Sequence, residues 1–537
     1  MMQFTLTYRK DGKQVFTKQT NADAEVIASE RNGEYNIRIK AWAPITLEKL
    51  TVHGIATVGQ NDRFLLNGYQ SWTDTREFTL AETENNIYRL PKFVVNKFAF
   101  DRYGDACFYP YSKEKLHGYD LFYARGEHPC FFINTNVCQA YLIFEVDRAS
   151  GQVDAISDVN GVLMHPGDEL PALNFRCAPD LEQGKELLNE VYPERQVEKL
   201  FGYTSWYHYY QNVNEEILLR DLSALDSRFN LFQIDDGYET FVGDWLQVDP
   251  VKFPAGLSPI VEETHRKGMK AGIWLAPFVA EEKSEVYQRH PEWFCRNQDG
   301  IPVRCGCNWS GFYALDFYCD EARDYIKTAL RHYMDLGFDF FKLDFLYAVN
   351  HVCPPGKTRS MVAEEAYTFL RETLGDRLIL GCGATPFNCV GKFDYLRVGP
   401  DVSLSFDDVW FMRMMHRERV STKITLQNTV FRSLFDRHLF GNDPDVFILR
   451  DENVKLNAKQ KEALLTVNAL CGSVLMTSDN VAGYNESKQM LLNRALELFY
   501  NAQPESYTCD GETITVFYRV NGEPAQLTYH IRKGVLL

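Results

Sequence analysis

Between residues 201 and 476 a short apolar run followed by a stretch with helical spacing recurs eight times. The runs lie at 201–205, 231–235, 270–276, 338–344, 377–382, 395–399, 445–449 and 473–476. Of the intervening stretches, the one beginning at Asn214, a residue suited to an N-cap, sets Ile217, Leu218, Leu222 and Leu225 on one face. The one beginning at Asp320 does the same with Tyr325, Ile326, Ala329, Leu330 and Tyr333. Eight strands with helices between them over about 280 residues predict a (β/α)8 TIM barrel, which ordinarily takes ~250 residues. The interval between the fifth and sixth runs is short, so that crossover is expected to be brief or irregular. Barrels of this kind keep their chemistry at the carboxyl ends of the strands, which makes the residues closing each run the candidates for function.

The flanking segments read as sheet. Phe4, Leu6 and Tyr8 alternate with polar neighbours before an Asp11-Gly12 turn, Tyr35, Ile37 and Ile39 alternate with Asn36, Arg38 and Lys40, and 141–146 forms another strand. This predicts an all-β domain over residues 1–199, ahead of the barrel at 200–484. After Tyr484 a helix is expected to reach Tyr500. Residues 513–520, Asn521-Gly522 and 526–531 then read as a hairpin on an NG turn. Residues 485–537 are thus expected to form a C-terminal helix with a small antiparallel β-sheet, and the fold class is multidomain, α/β plus β.

The charge balance excludes one class of partner. A net charge of -16 with no basic stripe argues against nucleic acid, whose phosphates need clustered Lys and Arg. No apolar run approaches the length of a membrane span, and the first ten residues lack the apolar core of a signal peptide, so a soluble cytoplasmic protein is expected. Thirteen cysteines, an odd number, fit reduced thiols better than a disulfide framework. Cys305-Gly306-Cys307 has no second Cys or His pair at zinc spacing, so no metal site is expected. The aromatic share of 14% serves either core volume or the flat faces on which sugar rings stack.

Two of the runs deliver an aspartate: Phe340-Phe341-Lys342-Leu343-Asp344, and Tyr395-Leu396-Arg397-Val398-Gly399-Pro400-Asp401. Two carboxyl groups brought together at a barrel mouth are what glycosidic cleavage needs, one to attack or to activate water and one to protonate the leaving oxygen. Lys342 and Asp344 are two residues apart and share a side of the strand, so the ammonium is expected to keep Asp344 ionised as a nucleophile. The alternatives are a structural ion pair inside the barrel and a Schiff-base lysine, although an adjacent carboxylate opposes the lowered pKa that the latter needs. Asp401 is a candidate general acid, or else the cap of the following helix. Asp235-Asp236 at the second strand needs bound donors, either sugar hydroxyls or a metal, and the histidines show no metal-binding pattern. Trp206, His208 and Trp274 offer stacking faces or core volume. Cys382 and Gly383 close the fifth strand with small residues that let a ligand near the backbone. Gly356-Lys357-Thr358 lacks the rest of a phosphate loop, and Asn442-Asp443-Pro444-Asp445 reads as a loop-to-strand cap.

Taken together, Ser205-Trp206-Tyr207-His208, Gln233-Ile234-Asp235-Asp236-Gly237-Tyr238, Gly243-Asp244-Trp245, Gly272-Ile273-Trp274, Lys342-Leu343-Asp344, Leu380-Gly381-Cys382-Gly383, Arg397-Val398-Gly399-Pro400-Asp401 and Asn442-Asp443-Pro444-Asp445 resemble the retaining α-galactosidases (melibiases) of glycoside hydrolase family 36, its compact bacterial and Thermotoga-type members above all. The likeness extends to Asn67-Gly68-Tyr69-Gln70-Ser71-Trp72, since similar enzymes carry a tryptophan there that reaches over the barrel mouth. The resemblance implies a β-supersandwich, a (β/α)8 barrel and a small antiparallel C-terminal domain. It implies Asp344 as nucleophile, Asp401 as acid/base, Asp235 and Asp236 on the sugar's O4 and O6, Lys342 near O3, and Arg397 orienting carboxylates and the O2 region. Trp274, Trp206 and Trp72 would wall the pocket. Two departures stand out: Cys382 is followed by Gly383-Ala384-Thr385 where longer members have a Cys-x-x-Gly element beside O2, and Tyr238 stands where relatives often have a wall tryptophan.

The expected activity is that of an exo-acting α-galactosidase on small oligosaccharides such as melibiose and raffinose, by double displacement and without metal or organic cofactor. The alternatives are an α-N-acetylgalactosaminidase or another α-glycosidase, an α-galactosyl transglycosylase, and a non-catalytic sugar-binding protein. A homo-oligomer is compatible with the family.

Overall fold

The computed structural model describes residues 2–84, 87, 90–410, 413 and 416–537. A parallel sheet occupies the middle of the chain: β1 (Leu200–Thr204), β2 (Leu231–Ile234), β3 (Lys270–Leu275), β4 (Phe340–Leu343), β5 (Leu378–Gly381), β6 (Tyr395–Arg397), a broken β7, and β8 (Val474–Thr477). The first part of β7, Gly441–Asp443, pairs with β6, and the second, Val446–Phe447, pairs with β8. These two parts are the two edges of the sheet. Only Pro444 and Asp445 separate them, so the continuity of the chain closes the sheet into a barrel. Proline has no N–H to give to the ladder, which is why the strand breaks there. The expected seventh run at 445–449 therefore begins too late, because the strand starts at Gly441 and the supposed cap is part of it.

Helices follow the strands: α1 (Glu215–Ala224), α2 (Ser258–Arg266), α3 (Asp320–Asp335), α4 (Arg359–Leu374), α5 (Thr422–Phe431), α6 (Ala458–Cys471) and α7 (Glu486–Asn501). Asn214 caps α1 by accepting from the Ile217 amide. Thr358 caps α4 in the same way from Met361, which gives Gly356-Lys357-Thr358 a structural use. Between β5 and β6 there is only a 3-10 turn, Pro386–Cys389. The connection from β3 to α3 is the long one, and it carries a three-stranded antiparallel sheet of Val279–Glu281, Arg304–Gly306 and Phe312–Ala314.

Ahead of the barrel, two seven-stranded antiparallel sheets share one apolar core in which Leu6, Tyr8, Ile37, Ile39, Phe122, Phe132, Phe144 and Phe175 are buried. Strand Leu121–Arg125 explains how this unit meets the barrel. Its Phe122 and Ala124 enter the core between the sheets, whereas Leu121 and Tyr123 face the other way and pack into the barrel's core. The last sheet, Ala502–Cys509, Thr513–Val520, Glu523–His530 and Val535–Leu536, buries Tyr507, Ile514, Val516 and Tyr529 in that same core. Within the C-terminal hairpin, the strand expected at 526–531 runs from Glu523 to His530.

Two buried polar clusters join the first sheets to the barrel. Arg432, which caps the C-terminus of α5, is wholly buried, and its guanidinium donates to Asn67 Oδ1 at 3.0 Å and to the carbonyls of Gly68 (3.3 Å), Gln70 (3.1 Å), Ser71 (2.5 Å) and Val398 (2.8 Å). Burial pulls its pKa down to about 9, still above neutrality, so the cation is kept. In the other cluster His117 bridges Asp105 (2.6 Å) and Glu84 (3.0 Å), and Arg417 approaches Glu84 at 3.5 Å.

The His117 cluster predicts a pH dependence of stability. Burial alone would lower the His117 pKa, but the charges of Glu84 and Asp105 outweigh it and lift the ring from 6.5 to about 9. That contribution is fully present below pH 6.5 and is lost as pH rises through about 9. Glu84 and Asp105 are held below their ordinary 4.5 and 3.8, because His117 and Arg417 overcome their burial, so their contribution is present above those values and lost as pH falls below them. The melting temperature should therefore plateau between these limits, and the alkaline fall near pH 9 should be weaker in His117→Gln, as measured by calorimetry against pH.

Candidate active site

The carboxyl ends of the barrel strands open into a cavity of about 300 Å³, at the lower end of the usual range for small-ligand sites. Asp235, Asp236, Lys342 and Asp344 form its floor, and each is buried. Asp344 directly follows β4. Its Oδ2 accepts from Trp274 Nε1 at 3.0 Å and its Oδ1 from the Phe345 amide at 2.8 Å. Phe345 sits at φ 54, the left-handed region that a bulky residue enters only when its surroundings demand it.

Lys342 lies beside Asp344 as the strand spacing requires, but its Nζ donates to Asp235 Oδ2 at 2.8 Å. The expected ion pair with Asp344 is therefore replaced by one across strands β4 and β2. Burial lifts the Asp344 carboxyl above its ordinary value, the Lys342 charge and the Trp274 bond offset part of that rise, and the charge of Asp401 adds to it. Burial would lower the Lys342 pKa, yet Asp235 overcomes it and raises it, which is opposite to what a Schiff-base lysine needs.

Asp401 lines the same cavity. It does not cap the next helix, because Ser421 does so by accepting from the Ile424 amide. With its side chain 35% exposed, it is the outermost of these carboxylates. Arg397 Nη1 donates to it at 3.0 Å, and the same guanidinium reaches Asp443 (3.1 Å) and Asp445 (2.9 Å). Arg397 is thus a buried bridge between the β6 loop and the break in β7. It is not among the cavity-lining residues, so it meets these carboxylates but not the space where it was expected to face O2.

Four tryptophans, Trp72, Trp206, Trp274 and Trp309, wall the cavity. Trp309 has no counterpart among the residues picked from sequence. It comes from the long β3–α3 connection, has φ 53, and donates its indole N–H to Asp236 Oδ2 at 2.8 Å. Gln211 supports the other side of Asp236 at 3.3 Å, while Thr204 and Gln233 donate to Asp235 at 3.2 and 2.7 Å. Tyr238, expected at the wall, is instead wholly buried and gives its hydroxyl to the Trp274 carbonyl at 3.0 Å. His208 also lies off the cavity and stacks on Tyr209.

Trp72 arrives on the Arg432-bound loop. Its indole N–H points to Cys382 Sγ at 3.2 Å, and its ring lies over Gly383. Cys382 and Gly383 therefore seat Trp72, and the close approach that their small size permits is that of the indole. Cys307 lines the cavity beside Asn308. Among the described residues no group of three His, Cys, Asp or Glu side chains is arranged to hold a metal ion.

Comparison with known proteins gives this arrangement a context. Residues 196–376 match the melibiase family model. Alpha-galactosidase 2 of Pediococcus pentosaceus is 30% identical over 135 residues, 25% of this chain and 18% of that protein. The A type blood alpha-D-galactosamine galactosaminidase of Flavonifractor plautii is 36% identical over 145 residues, 23% of this chain and 13% of that protein. The matched segments thus span about a fifth or less of these relatives' own length. In fold, the chain is similar to TtGalA, the alpha-galactosidase from Thermus thermophilus in complex with p-nitrophenyl alpha-D-galactopyranoside, with a TM-score of 0.73 at 22% identity over 97% of this chain and 98% of that one. It is also similar to the alpha-galactosidase AgaA of Geobacillus stearothermophilus, with a TM-score of 0.62 at 13% identity over 97% of this chain and 80% of that one.

The seat of Trp72 is testable. Gly383 has φ 61, and a Cβ there would meet the indole ring at 3.1 Å. Gly383→Ala should cost roughly 1–3 kcal/mol through strain and displace Trp72, read as a lower melting temperature with a changed tryptophan emission that is absent from a Trp72→Phe background.

Proposed function

We propose, from the match of residues 196–376 to the melibiase family model, that the chain belongs to that family and is a retaining, exo-acting α-galactosidase of small galacto-oligosaccharides such as melibiose and raffinose. The observation that carries this reading is that Asp344 and Asp401, from the ends of β4 and β6, line one small cavity whose walls are tryptophans and whose floor is a set of hydrogen-bonded carboxylates. Flat apolar walls suit the faces of a pyranose, and the floor suits its hydroxyls.

In this mechanism Asp344 attacks the anomeric carbon while Asp401 gives its proton to the departing oxygen. Asp401 then removes a proton from water, which hydrolyses the glycosyl-enzyme and releases sugar of unchanged configuration. The two carboxyl groups must stand ~5–5.5 Å apart for this, as against ~6.5–9.5 Å in an inverting enzyme. The Trp274 and Phe345 donors leave Asp344 held on both oxygens, so its attack starts from a fixed position. Asp235, Asp236 and Lys342 would grip the galactosyl hydroxyls, with Trp309 steering Asp236. Arg397 would hold Asp401 in place while Asp443 and Asp445 balance its charge.

The reading carries a domain division: a β-supersandwich at 1–199, the barrel at 200–484, and a helix with a small antiparallel sheet at 485–537. Thirteen free cysteines support a reducing, cytoplasmic setting. The Flavonifractor relative, named for an amino sugar, keeps a second reading open in which C2 of the substrate bears nitrogen.

Hydrolysis of p-nitrophenyl α-D-galactoside beside the α-N-acetylgalactosaminide, α-galactosaminide, α-glucoside and α-xyloside decides between them. Turnover confined to the galactoside, and abolished in Asp344→Asn, is expected; turnover of only an amino sugar would give C2 to nitrogen, and silence throughout would contradict the enzyme reading. Asp401→Ala should lose ~10²–10⁴-fold on melibiose but far less on the nitrophenyl substrate, whose leaving group needs no proton. Equal losses on both would remove Asp401 from the acid role.

A further inference from the structure

Asp235 and Asp236 are adjacent on the cavity floor, yet they are held by different means. Asp235 takes the Lys342 ammonium at 2.8 Å, whereas among the described residues no Lys, Arg or His forms an ion pair with Asp236, which is only 3% exposed. Its partners are two neutral donors, Trp309 Nε1 at 2.8 Å and Gln211 Nε2 at 3.3 Å, and a second carboxyl group, that of Glu239. Glu239 does not line the cavity, and the mechanism above makes no use of it.

The local chain brings the two carboxyl groups together. Gly237, at φ 116, turns the backbone directly after Asp236, and Glu239 forms an antiparallel bridge with Val248. Glu239 folds back on this turn and is 4% exposed, its Oε2 accepting from the Gly237 amide at 3.2 Å and its carboxyl hydrogen-bonding that of Asp236. Two carboxylates in contact and out of water cannot both stay ionised without a cation between them. The nearby cations are committed, Lys342 to Asp235 and Lys252 to the carbonyls of Gln211 (2.8 Å) and Gly237 (2.9 Å), with Asp249 at 3.9 Å. Tyr238 and Tyr333, packed beside Glu239, give their hydroxyls to the carbonyls of Trp274 and Trp245. Among the described residues, a proton is the counter-charge left to the pair. Burial, and after it the Asp236 charge, lift the Glu239 carboxyl well above its ordinary range. Burial raises Asp236 as well, but the bonds from Glu239, Trp309 and Gln211 pull it back, which puts the proton on Glu239.

We propose that Glu239 is a positioning residue of the galactosyl site, a neutral carboxylic acid whose O–H donates to Asp236 and leaves that carboxylate ionised, fixed and open to a single substrate hydroxyl. The indole, the carboxamide and the Glu239 O–H take three of the roughly four lone-pair positions of a carboxylate, and Asp236 lines the cavity. Asp236 then serves as an acceptor only, so the hydroxyl it meets must donate. The inference rests on the α-galactosidase reading and adds to it the residue that sets the charge of this corner of the floor.

Two measurements test it. Infrared spectra at neutral pH should show a protonated carboxyl C=O band in the wild type that is missing from Glu239→Gln; no band lost would mean that Glu239 is ionised and would overturn the proposal. On p-nitrophenyl α-D-galactoside, Glu239→Ala removes the donor and should raise KM ~10-fold or more with kcat held within about threefold, as expected when binding common to ground and transition states is lost. Glu239→Gln, whose amide N–H still donates to Asp236, should restore KM to within about threefold of the wild type. A Gln variant as impaired as the Ala variant, an Ala variant with unchanged KM, or a loss confined to kcat would each contradict the role. Should Glu239→Ala fail to fold, the infrared comparison with Glu239→Gln decides. A wild type silent on every α-galactoside would instead contradict the α-galactosidase reading, and the infrared comparison, which needs no turnover, would still judge the carboxyl pair.

Discussion

Arg432 is the interaction on which the rest of the site depends. Among the described residues its guanidinium bonds no carboxylate, and it is saturated by carbonyls and one amide oxygen. Four of these acceptors belong to the loop that presents Trp72, and the fifth is the Val398 carbonyl, three residues before Asp401. One buried cation therefore sets the height of an indole from the first β unit relative to the barrel strand that carries an outer carboxylate. A planar fork with five donors can satisfy such a crowd of acceptors, which lysine's single ammonium cannot. Breaking it would leave several buried carbonyls unpaired at once, each at a cost of ~1–3 kcal/mol.

The floor of the cavity follows a related logic with opposite sign. Several carboxylates meet there, and the protein offsets their repulsion with two buried cations from β4 and β6: Lys342 joined to Asp235, and Arg397 joined to Asp401, Asp443 and Asp445. Neutral donors, the indoles of Trp274 and Trp309, hold Asp344 and Asp236 without cancelling their charge. The inner carboxyl is then buried and fixed while the outer one stays near solvent. Those are the environments that a nucleophile and a proton-exchanging group respectively call for.

Much of this was legible in the sequence, and the failures have physical causes. The barrel strands announced themselves because each is a short apolar run, and several lead into helices with recognisable caps such as Asn214. Asp344, Asp401, Asp235 and Asp236 were legible because they close strands. The seventh strand was misplaced because Pro444 interrupts its ladder. Strands such as Cys130–Asn134 were not identified because both faces are buried, one between the sheets and one against the barrel, which erases the alternation. Trp309 escaped because it sits in a long connection without periodicity, and its partner, Asp236, is distant in the chain. The pairing of Lys342 with Asp235 in preference to Asp344 depends on how β2 and β4 face each other across the barrel end with β3 between them, which the spacing of residues along one strand cannot reveal.

The central claim is double displacement by Asp344 with Asp401 as acid/base. Its most direct test is the configuration of the first sugar released, followed by proton NMR of the anomeric signal during the earliest turnover of an α-galactoside. The account predicts that the α-anomer appears first and equilibrates to the β form by mutarotation. Initial release of the β-anomer would mean a single inverting displacement by water and would contradict the assignment of Asp344 as nucleophile.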